Sequence, residues 1–477
     1  MPNPDHLDRA RWSAEPGSFR DPAGRVFHAG DHVYRTLSEQ ALGDWRALRS
    51  SRLFERATGD GRLVATEEVG ADQAGALMPA GEWAGLLRHA PVPFISYPYE
   101  WTFAMLRDAA LLQLDLLEGA LAEDLILKDA TPFNVQWRGA RPTFIDLGSF
   151  ERLEPGDLWV GYRQFCRQYL YPLMLRAYKG VPFQAWLRGD PEGPTAADLR
   201  ALMSTRDLLR PGVLLHVALQ ARAERRFQGS ARDLRRELRA AGFRKELIEA
   251  NVRRLRKLVA GLHWDRAESA WSEYADQCDH VARDRDQKGR FLDEMLETVK
   301  PQVVVDLGAN DGHFSQLAAR TARQVVAVDA DEAVLDRLYG RLASQGVGNV
   351  QPLLADLANP SPGTGWDNRE HLPLTDRLRP DLVVCYAVVH HLAIGHNVPL
   401  GYVVEWLHRF DSPVALEFVA PDDPMARRLT ANKRADQVHP DYHEMGLRRA
   451  LDGLFEVERE TTLGEGTRTL MALRPIR

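Results

Sequence analysis

Apolar and polar positions change their rhythm along this chain. Residues 17–70 carry short runs of alternating character. "DPAGRVFHAGDHVYRTL" predicts two strands, 25–28 and 32–36, turning at Gly30-Asp31, and "GRLVATEEV" predicts a third. In 101–125, "WTFAMLRDAALLQLDLLEGALAEDL", apolar residues recur at helical spacing, and the stretch predicts an amphipathic helix. Residues 158–186 read as aromatic-rich helix, and "RGDPEGPTAAD" (188–198) as a surface loop. Arginine-rich helices follow over 221–260. From about 285 the rhythm becomes strand, helix, strand, helix. Short apolar runs at 303–306, 325–329, 350–355, 381–386 and 413–419 suit a sheet buried on both faces. "FEVERET" and "RTLMALR" predict a closing hairpin. The fold class expected is α/β. A doubly wound, Rossmann-like C-terminal sheet is joined to an N-terminal α+β domain with a helical extension.

At 477 residues the chain exceeds one ordinary core. The expected division is a polar tail (1–19), an accessory domain (20–187), an arginine-rich helical region (188–265) and the doubly wound domain (266–477). Hydrophobic content of 44% with 27% charged residues fits a soluble globular protein. The net charge of −6 argues against a general affinity for nucleic acid or an anionic membrane. Residues 221–260 are a local exception, with 13 Lys/Arg against 5 Asp/Glu. Interleaved leucines favour a solvated helical face there over a docking face for an anionic partner. Cys166, Cys278 and Cys385 are too scattered for a disulfide framework or a C-x-x-C site. The polar start and the absence of an apolar run of spanning length lead to the expectation of a cytoplasmic protein without a membrane span.

The strongest chemical signal is "VVVDLGANDGHFSQLAA", 303–319. A strand ends at Asp306, a glycine turn runs from Gly308 through Asn310 to Gly312, and a helix begins. The first glycine permits the tight turn and the last lets helix and strand approach closely. Such a turn alone is shared by many nucleotide-binding domains, so the following strand ends narrow the choice. "VVAVDAD" ends the next strand at Asp329, 23 residues after Asp306, where a carboxylate can accept two ribose hydroxyls. "LLADLAN" brings Asp356 to the third strand end, placed to accept from an adenine amino group. "CYAVVHHLAI" brings Tyr386, His390 and His391 to the fourth. All four features fall where open α/β sheets bind ligands.

The set resembles the class I S-adenosylmethionine-dependent methyltransferases. The D-x-G-x-x-x-G form is their first motif, with Asn310 where many members have a middle glycine. The resemblance implies S-adenosyl-L-methionine as cofactor. It places Asp306, Gly308, Asn310 and Gly312 on the methionine side, Asp329 on the ribose, Asp356 on the adenine and Tyr386 beside them. A NAD dehydrogenase would more usually show G-x-G-x-x-G and would lack the acidic third strand end and the closing hairpin.

From about 20 to 475 the chain is also similar to the NoeA-type nodulation-associated methyltransferases. "SYPYEWTFAMLRDAALLQL", "LKDATPFNVQW", "PTFIDLGSFE", "AVVHHLAIGHNVPL", "LEFVAPDDPMARRL" and "HPDYHEMGLRRAL" carry that likeness. The family leaves the acceptor open, with lipo-oligosaccharide signals as one association. The donor is already activated, so alignment and electrostatics dominate, and an oxygen acceptor also needs a base. His390, His391 and Glu417 are the catalytic candidates. His390 or His391 would take the proton and Glu417 would hold an acceptor hydroxyl or amine. The competing reading makes the histidines structural and Glu417 an ordinary strand end. The expected acceptor is a small-molecule, sugar or natural-product intermediate in biosynthesis. The segment 420–440, with Arg427, Arg428, Lys433 and Arg434, reads as a basic lid or equally as a solvated helix. "WSEYADQC", with Trp271 and Tyr274, would close over the donor or pack on the sheet. His390, His391, His396, His439 and His443 match no familiar zinc spacing, and no metal is expected.

One motif lies outside this scheme. In "LKDATPFNVQWRGARPTFIDLGSF", Asp129, Asn134 and Asp146 stand in the order used by kinase catalytic and metal-binding loops. No lysine occurs between residues 20 and 100, and no G-x-G-x-x-G covers the region. The NoeA-type pattern at Ile145–Phe150 is often I-D-T-L-S-F, which makes Gly148 incidental. The expectation is a degenerate kinase-like region that binds or positions the acceptor. Three rivals are a bifunctional methyltransferase and phosphotransferase, a nucleic-acid methyltransferase using the arginine-rich helices, and a non-catalytic binder of the donor. No N-P-P-Y or D-P-P-Y motif and no aromatic-and-basic single-strand reader supports the nucleic-acid rival.

Overall fold

The C-terminal strands form a seven-stranded sheet. The computed structural model describes residues 12–79, 81–154, 157–226, 245–265, 279–431, 433–434, 437–463 and 466–477. Trp271, Tyr274, Cys278 and the middle of the arginine-rich stretch, 227–244, lie outside the described residues. The chain divides into two compact units. One draws on residues within 1–137, 142–265 and 363–372. The other draws on 138–141, 266–362 and 373–477.

In the first unit, β1 (Trp12–Ala14), β2 (Gly24–Ala29), β3 (His32–Leu37), β4 (Thr66–Glu68) and β5 (Gly85–His89) form an antiparallel sheet in the order β1-β2-β3-β5-β4. Trp12–Ala14, expected in a polar tail, is instead the edge strand, paired with Ala29, His28 and Phe27. Trp12 stacks on Tyr34, ring centroids 5.4 Å apart, which accounts for its place in the sheet. The expected third strand shrinks to Thr66–Glu68, and Leu63 bridges Phe144 instead. β5 shows no alternation in sequence because Gly85, Leu86 and Leu87 are all buried, with Leu86 and Leu87 pairing with Thr36 and Arg35 in the sheet interior.

Thr102 caps the helix Phe103–Leu121 by accepting from Met105 N. This helix is amphipathic with a narrow polar stripe, Arg107, Asp108, Asp115 and Glu118 being half-exposed while its other sides are buried. The helix Lys245–Ala260 packs on it and buries Ile248, Val252, Leu255 and Val259, a single helical stripe. Arg253, Arg254, Arg256 and Lys257 of that helix stay exposed, so its described part is a solvated basic face. After the long helix come β6 (Leu125–Leu127), β7 (Val135–Arg138), β8 (Arg141–Phe144) and β9 (Phe150–Arg152). They form two short ladders, β6 with β9 and β7 with β8.

In the second unit, β10 (Val303–Leu307), β11 (Gln324–Asp329), β12 (Val350–Leu354), β13 (Leu382–Cys385), β14 (Val414–Val419), β15 (Phe455–Leu463) and β16 (Arg468–Pro475) make one sheet. Its order is β12-β11-β10-β13-β14-β16-β15. The first five strands are parallel, and β16 runs antiparallel to both β14 and β15. From β10 the chain winds outward through β11 to β12, then returns to the other side of β10 at β13. That reversal opens a crevice at the carboxyl ends of β10 and β13, where doubly wound sheets bind ligands. Among the described residues no helix is long and apolar enough to cross a membrane.

Candidate active site

A cleft of about 1270 Å³ lies over those strand ends. Gly308, Asn310 and Asp311 from the turn after β10 line it, with Asp329, Asp356, Tyr386, His390 and His391. The turn is built by backbone geometry. Gly308 and Gly312 have φ of 75° and 73°. A Cβ on Gly308 would meet Val388 Cγ2 at 2.5 Å, and one on Gly312 would meet Leu338 Cδ1 at 2.5 Å. Asn310 takes φ 47°, a region asparagine tolerates better than most residues. Gly308 N and Ala309 N both donate to Val328 O, at 2.8 and 2.9 Å, which ties the turn to β11.

The carboxylates of the cleft are satisfied in different ways. Asp329 accepts from Asn310 N (2.8 Å) and Asp331 N (2.9 Å), one on each oxygen. Burial raises its pKa. Two carboxylate oxygens offer about four acceptor positions, so capacity remains for two ribose hydroxyls. Asp356 is exposed and accepts from Ala358 N at 2.8 Å, leaving its other oxygen open. Asp306 is different. It is 2% exposed, accepts from Ser315 Oγ at 2.6 Å, and burial pushes its pKa up to about 7. Its side chain braces the turn against the following helix. These residues fit an adenosylmethionine donor. Asp329 and Asp356 would hold the ribose and adenine, and the glycine turn would lie against the methionine side.

Tyr386 is buried, its ring edge-on to Phe314 at 5.0 Å and its hydroxyl bonded to Lys288 O at 3.4 Å. His390 is 1% exposed, and neither ring nitrogen has a hydrogen-bond partner. Burial, with help from His391 and Arg468, lowers its pKa to about 3. His391 is less buried, its pKa is lowered by burial and then by His396, and its ring lies 4.1 Å from that of His390. Both imidazoles are therefore neutral near pH 7. His439 and His443 are turned to other tasks, contacting Asn397 O and Gly446 N. Among the described residues no group of three or more His, Cys, Asp or Glu side chains is placed to hold a metal ion.

Glu417 departs from its expected role. All six residues of β14 are buried, and the Glu417 carboxylate is fully enclosed between Lys288 Nζ (2.7 Å) and Arg468 Nη1 (3.2 Å). It does not line the cleft. The physical reason is that residues on both faces of β14 are covered, so an acid within it needs buried counter-ions. Arg468 also bonds both oxygens of Asp423, at 2.8 and 3.2 Å. Lys288, Asp423 and Arg468 do line the cleft, and sequence reading missed all three. Asp423-Pro424 at a helix start was a usable signal, since Asp423 caps Pro424–Thr430. Nothing local announced Lys288 or Arg468. The basic-lid expectation meets a helix whose Arg427 and Arg428 are exposed, while Pro424 and Met425 face the cleft.

The first unit gathers Asp129, Asn134 and Asp146 in one cluster. Asn134 Nδ2 donates to Asp146 Oδ2 (3.2 Å) and Ser149 Oγ (3.2 Å). The Ser149 hydroxyl lies against both Asp146 and Asp129. Arg35 of β3 reaches Asp146 Oδ1 at 2.8 Å and Asp21 at 3.6 Å. Burial pushes the Asp146 pKa up, but Arg35 and Ser149 together hold it below the usual carboxylate range. Burial, and then repulsion from Asp146, raises that of Asp129.

The strand order with its reversed seventh strand, the glycine turn and the acids at successive strand ends define a class I methyltransferase. Its methyl donor is S-adenosyl-L-methionine. The chain is 35% identical over 456 residues to the nodulation protein NoeA of Rhizobium meliloti, covering 95% of this chain and 94% of that one. It belongs to the NoeA family. A shorter likeness, 37% over 79 residues, joins 16% of the chain to 18% of the 23S rRNA (uracil(1939)-C(5))-methyltransferase RlmD of Pseudomonas putida. Among solved structures, the N-methyltransferase NodS of Bradyrhizobium japonicum, in complex with S-adenosyl-L-homocysteine, is similar at 12% identity. That likeness covers 44% of this chain and 94% of NodS, with a TM-score of 0.32. No family model matches the chain.

Proposed function

We propose that the protein methylates an oxygen of a small-molecule, sugar or other glycan-like acceptor in the cytoplasm. The carrying observation is the pairing, within one cleft, of open acids at consecutive strand ends with two neutral histidines after β13. When bound, the donor supplies a methyl group already activated on a sulfonium. Asp329 and Asp356 fix the adenosine half, and Gly308, Asn310 and Gly312 allow close approach on the methionine side. His391, the less buried of the pair, accepts the hydroxyl proton. His390, whose ring nitrogens have no protein partner, aligns that hydroxyl. Asp306 and Tyr386 support the site from behind. Glu417 acts through Lys288 and Arg468, and the pairing of both cations favours an acceptor without a strong negative charge. Cys166 and Cys385 are buried free thiols, in keeping with a reducing compartment.

The first unit is read as a degenerate kinase-like scaffold that helps hold the acceptor. Its β1-β2-β3-β5-β4 sheet, long helix and Asp129/Asn134/Asp146 cluster support that reading. Arg35 stands against Asp146 in place of a phosphate-binding lysine, and its planar fork is a poor substitute for an ammonium. The unit therefore transfers no phosphate. Mass spectrometry of metabolites from cells with and without the protein tests the function. A species gaining CH2 only in its presence is expected, and an unchanged metabolite pool with an inert donor would overturn it.

A further inference from the structure

Leucine is costly to leave in water, and the first unit leaves several there close together in the chain. Among the described residues fifteen large apolar side chains are exposed, and five of them, Leu202, Leu209, Leu214, Leu215 and Leu219, fall between 202 and 219. They are displayed by firmly held structure. A π-helical segment, Val213–Leu219, continues as the α-helix Gln220–Arg226. Val213, His216, Val217 and Ala221 are its buried face. Tyr171 Oη donates to His216 O at 2.6 Å, and Tyr162 Oη bonds His216 Nδ1 at 2.7 Å, which pins the segment. The i→i+5 bonding of a π-helix stacks Leu214 and Leu219 on the outer face, with Leu215 beside them. The helix Ala196–Leu202 and the turn Arg206–Leu209 pack next to this segment, and each ends in an exposed leucine, Leu209 at 91%. A group of exposed apolar side chains on a fixed surface marks a place of interaction.

The charges among these leucines have one sign left over. Arg206 and Arg222 are exposed and engage no acid among the described residues. Asp207 is bonded by Lys179 and Arg210, and Glu224 pairs with Arg163. Asp198 is exposed but accepts from Thr195 N and Oγ1 at its own helix start. In sequence the stretch that follows, 225–244, holds seven arginines against two acids. The net charge of −6 opposes a general attraction to anions, so this region is a local exception. We propose that the leucines of 202–219, with Arg206 and Arg222, dock the protein peripherally on an anionic membrane surface. Leucine side chains enter the acyl boundary while the guanidinium groups meet headgroup phosphates. No Trp, Tyr or Phe occurs from 202 to 222, so the face lacks the aromatic anchors on which protein interfaces centre. The proposal is independent of the donor cleft.

The test is cosedimentation of the full chain with two kinds of vesicle, phosphatidylcholine alone and equal parts of phosphatidylcholine and phosphatidylglycerol. The wild-type chain is expected to bind the anionic vesicles roughly tenfold or more above the neutral ones and to lose that preference at high salt. Leu214→Ser with Leu215→Ser should weaken binding to the anionic vesicles roughly tenfold or more. Arg206→Glu with Arg222→Glu should abolish the preference for them. All four side chains are exposed, so the thermal unfolding midpoint should hold, and if the leucine pair lowers it the arginine pair decides. Absence of wild-type binding, equal binding to both vesicles, or unchanged binding by a correctly folded double variant would overturn the proposal. Light scattering without vesicles reads the rival occupant. A dimer that the leucine substitutions dissociate would give the face to a second copy of the chain and overturn the membrane reading.

Discussion

Two clusters of carboxylates, built from the same residue types, are prepared for opposite tasks. In the second unit, Asp329 and Asp356 stand at the ends of separate strands and are bonded by backbone amides that leave acceptor capacity free. In the first, Asp129 and Asp146 face one another across Ser149 and Asn134, with Arg35 closing the cluster. The first arrangement has room for a ligand's hydroxyls. The second is tied together by side chains, with Asp146 held by Arg35, Asn134 and Ser149 and Asp129 joined to it through Ser149. What satisfies a carboxylate decides its use more than its place in a motif does.

The comparison can be broken most forcefully at Glu417, which is neither open nor part of the first cluster. Glu417→Ala would strand Lys288 without a counter-charge and leave Arg468 with Asp423 alone. A loss of about 3–5 kcal/mol in denaturant unfolding is expected, and a near-neutral effect would remove its structural assignment. Next is His391→Ala, which should cut turnover roughly 100-fold while S-adenosylhomocysteine affinity holds. The active form is the neutral ring, and its pKa is depressed by burial. The acidic limb of the kcat/KM profile should therefore lie below the ordinary histidine value of 6.5. Loss of less than a few-fold would make the ring structural. Third, Asp329→Ala should weaken S-adenosylhomocysteine binding by about 1.5–3 kcal/mol, whereas Asp146→Ala should leave it untouched. Equal effects would erase the contrast between the clusters.

The smallest effect concerns Asp306. Its pKa rises from 3.8 unfolded to about 7 folded, so the native state holds a proton the unfolded chain has released. Stability from this group accordingly falls as pH climbs through that window and levels off above it. Asp306→Asn should flatten the decline in Tm between pH 5 and pH 8, and an unaltered slope would count against a protonated Asp306.

The parallel sheet and its ligand-facing ends were legible because buried strands read as apolar runs and end in Asp or Gly. "VVVDLGANDGH" and "VVAVDAD" each put an acid where burial stops. The closing hairpin was legible from a different pattern, the alternation of "FEVERET" beside the apolar "RTLMALR". Glu417 was misread because a strand end in sequence does not say which neighbours flank it. In "VALEFV" an acid amid five buried apolar residues already implied a hidden counter-ion, but not which one. Lys288 belongs to a helix, Asp279–Val299, that joins the cleft only through tertiary packing. Trp12–Ala14 was invisible because three residues carry too little periodicity to identify a strand, and Gly85–His89 because its buried residues do not alternate.

The central claim is that group transfer resides in the cleft of the second unit and that the first unit's acids transfer nothing. The most direct measurement incubates the full chain with a small-molecule extract, S-adenosylmethionine bearing a deuterated methyl, and magnesium ATP, followed by mass spectrometry. The account predicts a product that gains one labelled methyl, falls at least about tenfold with Asp329→Ala at subsaturating donor and carries no new phosphoryl group. A phosphorylated product that disappears with Asp146→Ala, or labelled methyl transfer that survives Asp329→Ala undiminished, would contradict it.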